Sequence, residues 1–496
     1  MELRFEKKPV SCLRRDLWQV QDREFTQELR LGDELPEIGS VLSARGQYVM
    51  RSKEWRGDSV GVSGGVMVWI LYAPADGQRL QCVEAWIPVQ AKWNLSGSER
   101  EGAIRASWLL RGVDARCISA RKLMVRADLS LLAEAMEPWE TEVYVPEQMD
   151  GDIQLLRKTY PTMIPTETGE KPFQMEETLE LNSADAVKIC AMELESVLSE
   201  QKVLGDKTVF RGDLRIHLLY QNADGQLRAE DLTVPFSQFA ELDRDHDKSA
   251  TVCVVMAVSA VEPELREGKL GLKCGLVAQY VVWDQIMLEL VEDAYSLSRE
   301  VTPRMGKLEL PMELDRCRNT VRCQTVLTGD VSRVVDTWAG PAHPRVRRAG
   351  GLTELELWGN IGILYMDGEG QLRGGSGQFS SLWELPTGED AAALAQVMEV
   401  TRPEVSMGEG ITLGMDATAQ VLTAGRDGLP MVQGLELGER NASSAGRPSV
   451  ILRRAGEESL WELAKGNGST VEAICQANGL SEEPMDERIL LIPVCG

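Results

Sequence analysis

Histidine is almost missing from this chain. His217, His246 and His343 are the only three in 496 residues. They are unlinked in sequence, so a histidine-based triad has little material. Cysteine pairs are missing too. Ten cysteines run from Cys12 to Cys495 without one C-x-x-C motif, and the closest two, Cys317 and Cys323, have no nearby histidine. No zinc site is expected from that spacing. Scattered single cysteines fit reduced, structural thiols of a cytosolic protein. No apolar run reaches the eighteen or so residues of a membrane-spanning helix, and Met1 to Pro9 leads into no apolar core of an export signal. Positive charge is short: Lys and Arg number 53 against 77 Asp and Glu, a net charge of −24. Nucleic acid and anionic membranes would repel such a chain. Its one basic run, Arg345-Val346-Arg347-Arg348, lies in a Pro/Gly-bounded insertion and reads as a solvated loop.

Catalytic signatures are also lacking. No Walker A, G-x-S-x-G, H-E-x-x-H or dinucleotide-binding glycine pattern occurs. Gly408-Glu409-Gly410 lacks the strand–helix setting of a phosphate loop. Asp243-Arg244-Asp245-His246-Asp247 is the most metal-like cluster, and it reads as a solvated acidic loop. No catalytic residue, metal ligand or cofactor is expected, and the protein is read as not an enzyme.

What is present is repetition. Ile70-Leu71-Tyr72 is followed by a turn at Asp76-Gly77. Leu218-Leu219-Tyr220 leads to Asp224-Gly225, and Ile363-Leu364-Tyr365 leads to Gly370. In each copy Tyr precedes the turn Gly by five residues, and another Gly (Gly57, Gly205, Gly350) precedes the Tyr by fifteen. An apolar run, then Asp and Gly, then a second run is a strand–turn–strand signal. A calcium loop would need more oxygen ligands than these turns supply. Val60, Val62, Val66, Val68 and Ile70 share one parity, as on the buried face of a strand, with Gly64-Gly65 at a bend or bulge. Val187 to Glu200 has a helix-friendly composition but aligns with the strand at Val41 to Lys53.

The chain divides as follows: a charged leader, 1–24; β repeat one, 25–136; a proline-rich linker, 137–171; repeat two, 172–297; a divergent repeat three, 298–438; a linker, 439–448; and a module at 449–496. The repeats resemble the SPOCS domain of Gram-positive spore-formers, found in the coat morphogenetic protein SipL. The matching residues are Gly57-Asp58 and Gly205-Asp206, the Leu-Tyr strand with its Asp-Gly turn, Arg121 to Ala127, and Val234 to Phe239. Repeat three lacks the Pro-Phe step and has Gly374-Gly375-Ser376-Gly377 there.

The last module reads as βααβ. Val450 to Leu452 is a strand, Ser459 caps a helix from Leu460 to Gly466, Thr470 caps a second from Val471 to Asn478, and Arg488 to Pro493 closes it. Gly479 suits the helix end. Trp461 opens a short amphipathic helix and reads as core. The module resembles LysM, on Gly456, Glu457, Ser459-Leu460-Trp461, Thr470-Val471, Asn478, Leu480 and Leu491-Ile492-Pro493. That resemblance implies a binding groove formed by Gly456, Glu457, Glu458, Ser459, Leu460, Asn478, Gly479, Leu480, Ser481 and Glu482. Its acids suit a basic protein partner at least as well as a neutral glycan. The expected fold is mainly β: three tandem sandwich-like repeats followed by the βααβ LysM module. The expectation implied for function is a scaffold in spore coat assembly, in the mother-cell cytoplasm at the forespore or coat surface. There LysM docks on the coat-basement ATPase SpoIVA. The alternative is a protein that binds peptidoglycan, the N-acetylglucosamine polymer of cortex or cell wall. Nucleic acid and membrane insertion are not expected.

Overall fold

Each Tyr–turn–Gly motif forms an antiparallel hairpin. Gly77, Gly225 and Gly370 sit at φ of 74°, 83° and 77°, a left-handed conformation that favours glycine. The computed structural model describes residues 2–95, 102–146, 152–310, 313–349, 352–385, 391–407, 410–425, 428–440, 449–454, 458–480 and 489–495. Gly350 of the fifteen-residue spacing lies outside them.

The chain opens with β1 (Glu2–Arg4) and β2 (Glu6–Arg30). Then come β3 (Ile38–Arg56), β4 (Ser59–Pro74), β5 (Gln81–Asn94), β6 (Ala103–Ser119) and β7 (Lys122–Val145). Strands β3-β4-β5 form one sheet and β2-β7-β6 the other. Val60, Val62, Val66, Val68, Ile70 and Tyr72 face inward and share one core with Leu123, Val125, Leu129 and Trp108 of the second sheet. Repeat two uses the same order: β8 (Ile153–Glu180), β9 (Ala186–Leu204), β10 (Lys207–Asn222), β11 (Leu227–Glu241), β12 (Thr251–Arg266) and β13 (Lys269–Ser296). The helix-friendly run at Val187 is strand β9, paired with β10 along its length. Gly64 and Gly212 occupy equivalent places where the facing strand bulges. A Cβ at either would overlap the carbonyl oxygen of Val49 or Val197.

Repeat three contains β14 (Arg299–Leu308), β15 (Glu313–Leu327), β16 (Arg333–Pro341), β17 (Arg345–Ala349), β18 (Leu352–Met366), β19 (Leu372–Leu385), β20 (Ala391–Val400), β21 (Glu404–Met407), β22 (Ile411–Gly425) and β23 (Leu429–Arg440). It departs from the others for visible reasons. The prolines at 341 and 344 divide its second strand into β16 and β17, because proline lacks the ladder donor. The glycines replacing the Pro-Phe step lie in β19, where a Cβ on Gly374 would overlap the Leu42 carbonyl of repeat one. The basic run is not a free loop: it forms β17, with Arg345 stacked on Trp358 and paired with Asp22 at 2.7 Å.

The repeats are not beads on a string. β3 of repeat one lies against β12 of repeat two, β9 of repeat two against β20 of repeat three, and β16 of repeat three against β6 of repeat one. One type of strand contact is thus used three times and closes a ring. Beyond the ring, the long strands continue as ribbons. β2 with β7, β8 with β13, and β23 with β1 and β14 bury a shared slender core that includes Val143, Ile164, Leu290, Leu308 and Met431.

This stalk corrects three expected boundaries. Residues 6–24 of the leader are strand β2, the proline-rich stretch is mostly β7 and β8, and residues 439–440 are the end of β23. The prolines mislead because edge strands tolerate them. Pro138 lies just past Met136, the last residue of β7 paired with β6, so its missing N–H interrupts no ladder on that side. Finally β24 (Val450–Arg454), α1 (Leu460–Asn467), α2 (Val471–Asn478) and β25 (Ile489–Pro493) form the βααβ module. The protein is mainly β, with these two helices among the described residues.

Candidate functional site

The inner strands β3, β9 and β16 bring three equivalent residues to the ring centre. Arg45, Glu193 and Trp338 each precede their repeat's tyrosine by 27 residues and stand opposite Trp69, His217 and Gly362. Arg45 donates from Nε to Glu193 at 2.9 Å. It lies 5.0 Å from the Trp338 ring centre and also pairs with Asp336. Arg45 and Asp336 are only 2% and 1% exposed, so neither charge is hydrated by bulk water.

Asp336 gathers further partners. His217 Nε2 is 2.9 Å away, Arg402 Nη2 donates at 2.6 Å, and the Thr337 N–H donates at 2.8 Å. His217 and Arg402 also hold Asp231, at 2.6 and 2.5 Å. Burial alone would raise the Asp336 carboxyl, but Arg45, His217 and Arg402 outweigh it and hold it well below the carboxylate range. Burial would lower His217, yet its two carboxylates leave it raised. Histidine protonation is therefore favoured, and its contribution to stability is lost as pH rises through that raised pKa. The arrangement ties all three repeats together through charge.

Two residues after each of these positions the same strands make a second contact. Gln47 Oε1 accepts from Leu194 N at 2.7 Å and Glu195 Oε1 from Val400 N at 2.9 Å. A Cβ on Gly340 would overlap the Arg111 carbonyl. These groups border a cavity of about 540 Å³ lined by all three repeats. Glu195 lies in its wall, where desolvation pushes the carboxyl up to about 7. In the unfolded chain it titrates near 4.5, so its stabilising contribution is lost as pH rises from there through about 7. Glu195→Gln is expected to match the parent near pH 4.5 and to be the more stable protein at pH 8. Urea midpoints across that range test this; a pH-independent difference would mean the carboxyl is not recessed.

The repeat-three insertion closes the ring against repeat one. His343 is fully buried, donates from Nε2 to the Ser107 carbonyl at 3.1 Å, and is pushed down to about 4 by desolvation. The metal-like loop is also a hydrogen-bonded site: buried His246 bridges Glu167 at 3.0 Å and Asp284 at 2.9 Å. Among the described residues no group of three or more His, Cys, Asp or Glu is arranged to hold a metal. None of the ten cysteines is disulfide-bonded.

In the C-terminal module Ser459 and Glu462 cap α1 reciprocally, and Thr470 caps α2. Leu460 is core, and Gly479 ends α2 at φ 62°. The Asn478 side chain clamps β25, donating to the Leu491 carbonyl at 2.6 Å and accepting from its N–H at 2.8 Å. Glu458 pairs with Arg453 at 2.7 Å, and Leu480 packs on the core. The groove residues Gly456, Glu457, Ser481 and Glu482 lie outside the described residues.

The module sits on the stalk. Trp461, half-buried, meets Tyr295 edge-on at 4.8 Å and donates to Asp293 at 2.8 Å. Lys465 pairs with Asp293 at 2.7 Å, and Tyr295 donates to the Ser469 carbonyl at 2.8 Å. Trp461 is thus a seam residue rather than purely internal core. Tyr295→Ala is expected to speed amide exchange in α1 and the end of β13 while leaving the ring unchanged. Hydrogen-exchange mass spectrometry reads this out, and unaltered α1 protection would count against the clamp.

The sequence reading missed the central hub. Its signal was present in the repeats, since Arg45, Glu193 and Trp338 share one offset, but their chemistries differ and only register joins them. In comparisons with known proteins, a family model described as SipL, SPOCS domain, matches residues 185–265, within β9 to β12. No curated protein and no solved structure matches. The match points to a sporulation-related protein, and the SPOCS domain is not a known enzyme family. Among the described residues no helix is long and apolar enough to cross a membrane.

Proposed function

We propose that this protein is a non-enzymatic scaffold of the bacterial spore coat. In this reading it works in the mother-cell cytoplasm and is held at the forespore surface by its C-terminal module, a LysM domain docked on the coat-basement ATPase SpoIVA. The observation that carries the reading is the SPOCS match in repeat two. Two further features support it. The ionisable groups gathered at the ring centre are engaged with one another, as joints between repeats. The small module is presented at the end of a stalk, away from that centre, as an attachment element would be.

The test uses the purified full-length chain in two assays: capture of the purified coat ATPase, and sedimentation with peptidoglycan. Capture without sedimentation is expected. Sedimentation without capture would replace the scaffold with the second reading, a peptidoglycan-binding protein. Glu482→Lys, in the acidic groove read from the sequence, is expected to weaken capture; unchanged capture would move the contact elsewhere.

A further inference from the structure

Two cysteines meet across the seam between repeats one and two. Cys82 is the second residue of β5, and Cys190 is the bulged residue of β9, where its register with β10 slips between Leu219 and Tyr220. β5 lies against β9. Cys82 Sγ donates to the Cys190 carbonyl at 3.5 Å, and the Cys190 thiol stands within hydrogen-bonding reach of the Cys82 thiol. Both residues are buried, at 3% and 2% exposure, in the apolar cluster that holds Trp69 and Leu71 of repeat one with Met192 and Leu194 of repeat two. Cys274, the third cysteine of that cluster, donates instead to the Gly275 carbonyl at 3.8 Å.

A disulfide is close to this geometry. The sulfurs need only close from contact to about 2 Å. A small oxidant also has a way in. β5 is an edge strand of its sheet, and Cys82 follows the exposed residues 75–79. Fraying at the start of β5 exposes Cys82 before the rest of the core opens. The Cys190 thiol and burial push the Cys82 pKa up, so the reactive thiolate is scarce and the pair stays reduced until oxidant is sustained.

We infer that Cys82 and Cys190 are an oxidation site, at which sustained exposure to peroxide forms a disulfide that locks repeat one to repeat two. The Cys82 sulfur attacks the peroxide, keeps one oxygen as a sulfenic acid and releases the other as water. The Cys190 sulfur then attacks the Cys82 sulfur, the S–S bond forms, and the sulfenic oxygen leaves as a second water. Two thiols lose two electrons, and one peroxide is reduced to two waters. The bond joins residues 108 apart in the chain, and closing so long a loop restricts the unfolded state strongly. None of this depends on how the C-terminal module binds.

The test treats the full-length chain with hydrogen peroxide until the exposed Cys117 and Cys495 have reacted. The remaining thiols are alkylated in urea, and a non-reduced digest is read by mass spectrometry. A linked Cys82–Cys190 peptide is expected, and it is expected to be absent from Cys82→Ala and Cys190→Ala. The urea midpoint of the oxidised parent is expected to rise, with the unfolded fraction at the original midpoint falling about 10-fold or more. Dithiothreitol is expected to reverse the shift, and neither variant is expected to show it. The digest reads the bond in the parent itself, so the test stands even if a variant folds poorly. Cys82 recovered as a thiol or a sulfinic acid once Cys117 and Cys495 have reacted, or joined to Cys274 instead, would overturn the proposal.

Discussion

Asp336→Ala is expected to lower the free energy of unfolding by about 3–5 kcal/mol, the range for removing one partner of a buried ion pair. The size follows from what is left behind. Arg45 stays in place at 2% exposure, with Glu193 on one side and no counter-charge on the other. His217 loses the acceptor at its Nε2, and Arg402 keeps only Asp231. Arg402 is open to water and can re-hydrate, but Arg45 cannot reach water without parting two repeats. Urea denaturation followed by far-UV circular dichroism gives the value. A loss under 1 kcal/mol, the usual worth of an exposed pair, would mean that the hub is hydrated and that the repeats are held by apolar contact alone.

Trp69→Ala is expected to cost a similar amount, about 3–5 kcal/mol, by large-to-small truncation in a packed interior. Trp69 lies on β4 of repeat one, on the face turned away from that repeat's own core. It is 1% exposed and packs in a cluster containing Met192, Leu194, Leu214 and Leu218 of repeat two and Leu364 of repeat three. The loss therefore belongs to the assembly of repeats rather than to one of them. Denaturation should remain a single transition in the parent and should shift as a whole in the variant. Three separate transitions in the parent would refute the shared core.

The β class, the hairpins and the module helices were legible because their signals are local. Parity at Val60 to Tyr72, the Asp-Gly turns and the Ser459 and Thr470 caps each act within a few residues. The stalk was not legible, because proline and charge near Glu137 to Lys171 read as linker when strand identity depends on which neighbour is absent. The second face of β4 was also hidden. Trp69 and Leu71 interrupt the inward parity, and nothing local says that the outer face is covered too. The hub needed three-dimensional closure, since Arg45 and Asp336 lie 291 residues apart. Within the module, Ser459 caps α1, Leu460 is core, Asn478 clamps β25 and Gly479 ends α2.

The 28-residue strand β13 begins at the ring and ends at the module. At about 3.3 Å per residue it spans at most about 90 Å. It thereby acts as a ruler. If the module is fixed to a surface, the ring is carried outward to a set height, and lengthening or shortening β13 with its partner β8 by matched residue pairs would reset the distance between the ring and that surface.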